Sequence, residues 1–483
     1  MELHQRIVSA PVDFGAIRSE FGLASAYPAE ATAEARDAID AFAGDRVDRT
    51  DIPFVTIDPP GALDLDQALY LERTPTGFIV HYAIADVGAV ITPDGALAEE
   101  SGARGQTFYL PDNSVPLHPP VLAEGSASLL PGQTRPVALW TIELDEQAEP
   151  RSFSVVRALV RSRARLDYTG VQDDAAAGRL HPSIAALPEF GTRRIEAGLM
   201  RGAIGLRLPA QTVVRDECAD GHWRLVVEPR TPADDWNEQV SLLTGICAAR
   251  IMLDSGARAE QRVALLRTMP PPAESAIDSI RRTAHALGVT WPAREPVGRM
   301  LARLDLNTPA ALVLMSEATS LLRGASYTVV DGAAGEPPAP EAVRHSGIGA
   351  PYAHVTAPLR RLSDRFATEI CLARCAGNEV PRWVRDGLTS TADAMRRSDG
   401  VAGKLERACI DLTEATLLTQ RVGAEFDAVV VREGNGNRPA EIFIADPPVL
   451  GSCVGEPPEG AAVRVRLTSA DPRGRKVTFA FPA

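Results

Sequence analysis

The most informative stretch of this chain is Asp58-Pro59-Pro60-Gly61-Ala62-Leu63-Asp64-Leu65-Asp66-Gln67. It follows a β-branched and aromatic run, residues 52–57, which predicts a buried strand that stops at the Pro-Pro-Gly breaker. Asp64 and Asp66 alternate with leucines, so an extended chain would direct both carboxylates to one side, near Asp58. Clustered carboxylates repel one another unless a cation neutralises them, and a few carboxylates are typical of magnesium sites. The alternative is an ordinary polar turn, where aspartate and glycine are common.

Three segments around this stretch form a longer pattern. They are Phe54-Val55-Thr56-Ile57-Asp58, Asp64-Leu65-Asp66-Gln67-Ala68 and Tyr82-Ala83-Ile84-Ala85-Asp86-Val87. Together they resemble the catalytic-domain signature of the RNase II/RNase R (RNB) family of 3′-to-5′ exoribonucleases. The family pattern has four aspartates here. This chain matches three of them and has Gln67 in the fourth position.

The resemblance implies a reaction and a set of metal ligands. The expected reaction is the hydrolysis of single-stranded RNA from its 3′ end, with release of 5′-nucleoside monophosphates. Mg²⁺ is the expected cofactor, and Mn²⁺ is a possible substitute. Asp58, Asp64, Asp66 and Gln67 are expected to bind the metal, and Asp66 is also expected to be catalytic. Because Gln67 offers only a neutral oxygen, the alternative is a catalytically weakened or inactive RNA-binding protein on the same scaffold.

A second motif is Tyr352-Ala353-His354-Val355-Thr356-Ala357-Pro358-Leu359-Arg360-Arg361-Leu362-Ser363-Asp364. The spacing predicts a helix with Pro358 in its first turn, Thr356 or Ala357 as its cap, and Arg360 at the end that favours anions. The motif resembles the family signature Thr-Ser-Pro-Ile-Arg-Arg. The resemblance implies that Arg360 is a catalytic, transition-state residue and that Thr356 and Arg361 bind RNA. His354 is predicted to be a packed or hydrogen-bonded histidine.

Three further residues are expected near the RNA by resemblance to the family. Tyr109 matches a tyrosine that stacks on a base near the 3′ end, although a core tyrosine is the alternative. Glu238, on a helix predicted to begin near Asp234, matches a glutamate near the terminal nucleotide, and helix capping would also explain it. Glu406 matches another glutamate near the RNA end. The second aromatic residue of the family's stacking clamp has no counterpart near residues 205–207.

The net charge, the cysteine count and the distribution of apolar residues limit the class of protein. A formal net charge of −13 argues against a protein that coats nucleic acid generally, but it does not exclude a positive channel. Arginines cluster at 157, 161, 163 and 165, and again at 193, 194 and 201. The six cysteines lack the spacing of zinc sites and predict free thiols. Neither a membrane-spanning run nor a signal peptide is recognisable, so we expect a cytoplasmic monomer that acts without a membrane.

The chain is predicted to have an α+β fold with three parts. Residues 1–50 are expected to be a short helical N-terminal segment, with one helix over residues 29–43 that ends at Gly44. Residues 51–421 are expected to form a large RNB-like catalytic domain, a mixed sheet with helices. Short alternating strands at 425–431, 440–444, 462–467 and 477–481 predict a small S1-like OB barrel over residues 422–483. Its RNA contacts would rest on Arg464, Arg466, Arg473, Arg475 and Lys476.

Overall fold

The computed structural model describes residues 9–207, 210–228, 230–254, 262–306, 308–332, 338–435 and 438–482. The helices are α1 (Gly15–Glu20), α2 (Ala29–Arg36), α3 (Ala96–Arg104), α4 (Tyr168–Ala176), α5 (Leu187–Met200), α6 (Pro232–Met252), α7 (Glu274–Ala286), α8 (Val297–Ala302), α9 (Pro309–Ala318), α10 (Leu362–Cys375) and α11 (Arg382–Leu418). The strands up to α10 are β1 (Ala10–Pro11), β2 (Val47–Asp48), β3 (Phe54–Ile57), β4 (Gln67–Thr74), β5 (Gly77–Ala85), β6 (Phe108–Tyr109), β7 (Ser114–Val115), β8 (Thr134–Leu144), β9 (Pro150–Leu166), β10 (Ala210–Arg215), β11 (His222–Glu228), β12 (Val263–Thr268), β13 (Ser326–Asp331), β14 (Arg344–His345) and β15 (Ala350–Pro351). The last five are β16 (Glu425–Arg432), β17 (Ala440–Ala445), β18 (Pro448–Val454), β19 (Ala462–Asp471) and β20 (Lys476–Ala480).

The centre of the catalytic part is a mixed sheet with the strand order β2-β9-β3-β4-β5-β8. Strand β3 runs parallel to β9 and antiparallel to β4, and β8 also pairs with β9, which closes the pairings into a ring. All four residues of β3 are buried, as the apolar run predicted. The loop between the neighbouring strands β3 and β4, residues 58–66, therefore lies where β3 ends and β4 begins.

Helices cover one face of this sheet and carry the second motif to it. The largest apolar cluster joins β4, β5 and β8 to α6 and α10, with Trp140, Val240, Leu243 and Ile370 all buried. Each such side chain contributes about 1.5–3 kcal/mol when it leaves water. Helix α6 begins with a capping box between Thr231 and Asp234, so the expected helix is confirmed and begins slightly earlier than predicted.

The C-terminal strands form a closed barrel in the order β16-β17-β18-β20-β19. This confirms the predicted OB-like barrel, and β18 adds a strand to the four segments predicted from the sequence, in a stretch whose proline and glycine are more typical of turns. Gly451 is needed inside this strand, since an added Cβ would lie 2.6 Å from the Phe479 ring. Arg464 and Arg466 pair with Glu425, at 3.3 and 2.9 Å. Less of the barrel's positive charge is therefore available to RNA than the sequence suggested.

The predicted helix over residues 29–43 is wrong in its second half, because α2 ends at Arg36. Asp40 leaves the helix to accept hydrogen bonds from Arg46, whose side chain is fully buried and also pairs with Asp86 at 2.9 Å. A buried guanidinium needs such carboxylate partners. This long-range ion-pair network outweighs the helix propensity of an alanine-rich run.

Helix α11 connects the catalytic part to the barrel. Glu414 on this helix is 2% exposed, and its Oε1 accepts hydrogen bonds from Gln211 Nε2 at 2.8 Å and from the Leu450 N–H at 3.3 Å. Burial raises the pKa of Glu414 to about 7.

The six cysteines are free thiols. Among the helices of the described ranges, none combines the length and the apolar character that a bilayer crossing requires.

Candidate active site

The aspartate-rich loop is held by bonds that the alternating pattern did not predict. Residues 62–66 form no strand; Leu63 is 49% exposed and Leu65 is fully buried, so the two leucines do not share a face. The Leu65 N–H donates to Ser128 Oγ at 3.0 Å, and the Leu65 carbonyl accepts from the Leu129 N–H at 3.0 Å. The predicted extended alternation of residues 63–66 was therefore wrong, because these contacts fix the loop in an irregular path.

Asp66 lies between this loop and the second motif. It is 2% exposed, and its Oδ1 accepts a hydrogen bond from the Leu359 N–H at 2.7 Å. Its Oδ2 is 3.4 Å from Nε of Arg360. Burial raises the pKa of Asp66 to about 8, against the opposing effect of the Arg360 charge. The two motifs, nearly 300 residues apart in sequence, thus meet at one carboxylate.

Asp58 is the second carboxylate of the centre. Its Oδ2 is buried and has no hydrogen-bond partner among the described residues. Burial raises the pKa of Asp58 to about 6, with a smaller contribution from the negative charge of Asp64. Asp64 raises the pKa of Asp66 as well, so its negative charge acts on both buried carboxylates. A cation would remove both the burial cost and this repulsion.

The aspartates of the centre could serve a magnesium-type ion of low protein ligand number. Within the described ranges, no group of three or more histidine, cysteine, aspartate or glutamate side chains is arranged to hold a metal ion. Magnesium does not require one, because it usually keeps several waters and takes one or two carboxylates together with substrate phosphate. The unpartnered Asp58 Oδ2 is the kind of oxygen that such an ion would use. Asp58, Asp64 and Asp66 are the side chains that would hold it.

The segment that bears Arg360 is a turn rather than the start of a helix. Helix α10 begins at Leu362, after an extended Arg361 with φ −137° and ψ 127°. The prediction that Pro358 occupies the first helical turn was wrong, because the backbone here pairs with residues 105–107 instead. The Thr107 N–H donates to the Arg360 carbonyl at 3.0 Å, and the Leu362 N–H donates to the Gly105 carbonyl at 2.9 Å.

The two adjacent arginines have different surroundings. The Arg360 side chain is 43% exposed and lies beside Asp66 and the Tyr109 hydroxyl. Arg361 is bound by Asp364 through two hydrogen bonds, of 3.0 Å from Nε and 2.8 Å from Nη2. Asp364 is fully buried and also accepts from the Ala357 N–H at 2.7 Å. Arg360 is therefore accessible to a ligand, whereas Arg361 is engaged in an internal ion pair.

The other predicted RNA-binding residues differ in their exposure and in their contacts with the Asp66–Arg360 centre. Tyr109 is 56% exposed at the end of β6, next to Arg360, so it is placed for stacking rather than buried in the core. Thr356 is buried, and its carbonyl faces Gln67. Glu238 on α6 pairs with Arg230 at 2.6 Å. Glu406 is exposed on α11, and among the described residues no hydrogen bond or ion pair connects it with the centre.

Gln67 opens β4, and its Nε2 donates to the main-chain carbonyl of Thr356 at 2.5 Å. This hydrogen bond connects the two motifs a second time, one residue after Asp66. The predicted role of Gln67 as a metal ligand stays a prediction, and only Oε1 of the amide is left to serve it. His354 accepts from or donates to the Tyr327 hydroxyl at 2.8 Å, so it is hydrogen-bonded and packed as predicted.

Sequence reasoning missed the polar side chains on the far side of Asp58. The Tyr168 hydroxyl accepts from Asn237 Nδ2 at 3.3 Å. Burial raises the pKa of Tyr168, and the negative charge of Asp58 raises it further, so the two groups are close. Tyr168 is the first residue of α4, directly after its N-cap Asp167. The sequence signal that could have indicated Tyr168 is this helix start, two residues beyond the end of β9.

The fold and the site define a class: an α+β protein with a carboxylate–arginine centre and a C-terminal barrel of nucleic-acid-binding type. The RNB domain family model matches residues 46–371, and the RNase II-type exonuclease C-terminal S1 domain model matches residues 424–481. The first match covers more than half of the chain. The protein belongs to the RNB family.

Individual relatives agree with this assignment. Ribonuclease R of Chlamydia trachomatis is 25% identical over 431 residues, which cover 86% of this chain and 59% of the relative. The structure of Mycoplasma genitalium RNase R in complex with ribose-methylated single-stranded RNA is similar, with a TM-score of 0.82, 19% identity and coverage of 97% of this chain and 77% of that one. Yeast Ssd1, a pseudonuclease, has a TM-score of 0.63 and 15% identity, over 85% of this chain and 50% of its own. This chain thus spans about three-fifths of the C. trachomatis relative.

Proposed function

We propose that this protein is a magnesium-dependent 3′-to-5′ exoribonuclease that hydrolyses single-stranded RNA and releases 5′-nucleoside monophosphates. The observation that carries the proposal is the meeting of Asp66 with both the Leu359 N–H and Arg360. Two separate motifs are brought to one carboxylate, beside a second carboxylate with a buried, unpartnered oxygen. A structural turn would not need this arrangement.

The residues have distinct proposed roles in the reaction. Asp58, Asp64 and Asp66 would bind magnesium, which supplies an activated water and neutralises phosphate charge when it is bound. Asp66 fixes the backbone of residue 359 and so positions Arg360 towards the scissile phosphate. Arg360 can present two N–H groups to the phosphate oxygens, where negative charge increases as the attacking and leaving oxygens share the phosphorus.

The substrate end would be held by an aromatic contact and by polar groups around Asp58. Tyr109 offers one exposed ring beside Arg360, and stacking of one base contributes about 1–3 kcal/mol without reading sequence. Relatives named ribonuclease R and a neighbour solved with single-stranded RNA support RNA as the polymer. Action from the 3′ end and release of monophosphates are the expectations that follow from family membership. Mn²⁺ is a possible substitute for Mg²⁺.

A second candidate function is RNA binding without efficient catalysis. Gln67 in place of the fourth aspartate favours it, and yeast Ssd1 shows that a protein of this fold can be a pseudonuclease. The three remaining aspartates and the accessible Arg360 favour the enzyme. An experiment can distinguish the two candidate functions, since both predict RNA binding and only the enzyme shortens the RNA.

The test uses a 5′-labelled RNA with an unstructured 3′ tail and the DNA of the same sequence. We expect progressive shortening of the RNA with magnesium, none with EDTA, and poor cleavage of the DNA, because a hydroxyl-recognising site can discriminate through the 2′-OH. Asp66→Asn is the matched inactive control. Binding of RNA without shortening, at any magnesium or manganese concentration, would select the second candidate. Equal degradation of RNA and DNA would indicate a general exonuclease.

A further inference from the structure

The residue in the fourth aspartate position makes a contact that an aspartate could not make. Gln67 Nε2 donates to the Thr356 carbonyl at 2.5 Å, across 289 residues of sequence. A carbonyl oxygen only accepts hydrogen bonds, so the group that faces it must be a donor. An amide supplies that donor. An ionised carboxylate supplies only acceptors and would repel the carbonyl at this distance.

The carbonyl of Thr356 opens the turn that carries Arg360. Three side chains hold this turn at three successive points: Gln67 binds the Thr356 carbonyl, Asp364 accepts from the Ala357 N–H, and Asp66 accepts from the Leu359 N–H. Gln67 and Asp66 are neighbours in sequence, so one dipeptide holds the turn through a donor and an acceptor. Backbone bonds support the later part of the turn: the Ala357 carbonyl accepts from the Arg360 and Arg361 N–H groups, and the Arg360 carbonyl accepts from the Thr107 N–H. Gln67 acts at the start of the turn, before these bonds.

We infer that Gln67 is a positioning residue that clamps the 356–361 turn and thereby places Arg360, and that it is not a weakened fourth metal ligand. The contact itself stands on the structure, whereas its effect on catalysis rests on the proposed nuclease function. The amide nitrogen serves the clamp, and the three aspartates supply the negative charge for the metal. With Gln67 in the fourth aspartate position, the site has one metal ligand fewer and gains a hydrogen bond between the two motifs.

Gln67→Glu separates the two roles because it keeps the length of the side chain and exchanges the amide for a carboxylate. A metal ligand would improve, since Mg²⁺ and Mn²⁺ prefer carboxylate to amide oxygen. A clamp would fail, since the donor is lost and the carbonyl is left facing an acceptor. The two roles therefore predict changes of opposite direction. Gln67→Leu removes the donor without adding charge, and Gln147→Glu, at an exposed position, is the control for the added charge alone.

Hydrogen–deuterium exchange of the peptide that covers residues 352–362 reads the clamp directly, without metal or RNA. We expect exchange to become about 10-fold faster in Gln67→Glu and in Gln67→Leu, the effect of losing one buried hydrogen bond. It should be unchanged in Gln147→Glu. Calorimetric titration with Mn²⁺ alone should give Gln67→Glu an affinity no higher than that of the wild type. On RNA, kcat should fall about 10-fold with KM nearly unchanged, because the loss acts on the placement of Arg360.

Unchanged exchange in both variants would overturn the inference, and so would tighter Mn²⁺ binding by Gln67→Glu. Loss of exchange protection in Gln67→Glu but not in Gln67→Leu would also overturn it, since the effect would then come from the added charge. The exchange experiment does not depend on catalysis. If the wild type fails to degrade RNA, the proposed function fails while the clamp is still tested.

Discussion

Adjacent arginines in unlike surroundings permit a paired test of the proposed site. Arg360 is 43% exposed and forms an ion pair with Asp66, which lies 3.4 Å from its Nε. Arg361 is 22% exposed and is bound to the fully buried Asp364 by two hydrogen bonds. We expect Arg360→Lys to remove activity and to spare stability. We expect Arg361→Lys to lower stability and to leave most of the activity intact.

The magnitudes follow from these contacts. Lysine offers one nitrogen in place of the two that bind Asp364, so Arg361→Lys loses at least one charge-assisted hydrogen bond. Such a bond contributes about 1.5–3 kcal/mol, so we expect the unfolding free energy to fall by roughly 2 kcal/mol. The contact of Arg360 with Asp66 is long and partly solvated, so its loss costs about 0–1 kcal/mol. Removal of one preorganised donor to a transition state lowers kcat by about 10²–10³-fold, and that is the loss we expect for Arg360→Lys.

Two assays separate the effects. Urea unfolding followed by circular dichroism gives the change in stability, and single-turnover cleavage of the 3′-tailed RNA at saturating enzyme gives the rate of the chemical step. The rate of Arg361→Lys should stay within about 10-fold of the wild type at a temperature where it is folded. Equal losses of rate in the two variants would refute the assignment of the catalytic role to Arg360 over Arg361.

Three further predictions concern single residues. Asp66→Asn should reduce the cleavage rate by at least about 10³-fold while RNA affinity, measured by fluorescence anisotropy, is unchanged or higher, because a transition-state role and a negative charge near phosphate are both removed; cleavage within a few-fold of the wild type would contradict it. Tyr109→Ala should weaken RNA binding about 10-fold with little effect on stability, since the ring is exposed and would stack on one base. The folded-state pKa of Glu414, about 7, lies above its ordinary value of 4.5, so the stability linked to its proton is present below pH 4.5 and lost as the pH rises through 7. Glu414→Gln should therefore gain stability relative to the wild type between pH 5 and pH 8, by up to roughly 3 kcal/mol in urea unfolding, and an equal difference at the two pH values would contradict the burial argument.

The sequence predicted those parts of the fold whose causes are local. The strand before Asp58 could be predicted from its run of apolar residues, and the helix α6 could be predicted from the capping residues at its start. Four of the five barrel strands could be predicted for the same reason. Strand β18 could not, because its proline and glycine suggest a turn unless the approach of the Phe479 ring is known.

The site was predicted in composition but not in geometry. Asp58, Asp66 and Arg360 were identified from their motifs, and the structure brings the last two into direct contact. The conformation of both motif segments depends on residues far away in sequence: Ser128 holds the aspartate loop, and the 105–107 segment prevents α10 from starting earlier. Periodicity within a motif carries no information about such partners.

The distribution of arginine shows why charge counts are a poor guide to the proposed RNA-binding surface. The sequence suggested a positive cluster that includes Arg157, but its guanidinium is divided between Asp86 and Glu369, with two hydrogen bonds to each. Arg194, from the second cluster, is 1% exposed and pairs with Glu149. A buried ion pair of this kind costs desolvation and serves to fix the relative position of strands and helices. In a chain with a net charge of −13, arginines that already have carboxylate partners add little attraction for phosphate. Arg161, Arg163 and Arg165 of the first cluster are exposed and bond to neutral oxygens, so their charge remains for an anion. At the centre, Arg360 and Tyr109 are the groups that lie side by side and could meet the end of a bound RNA.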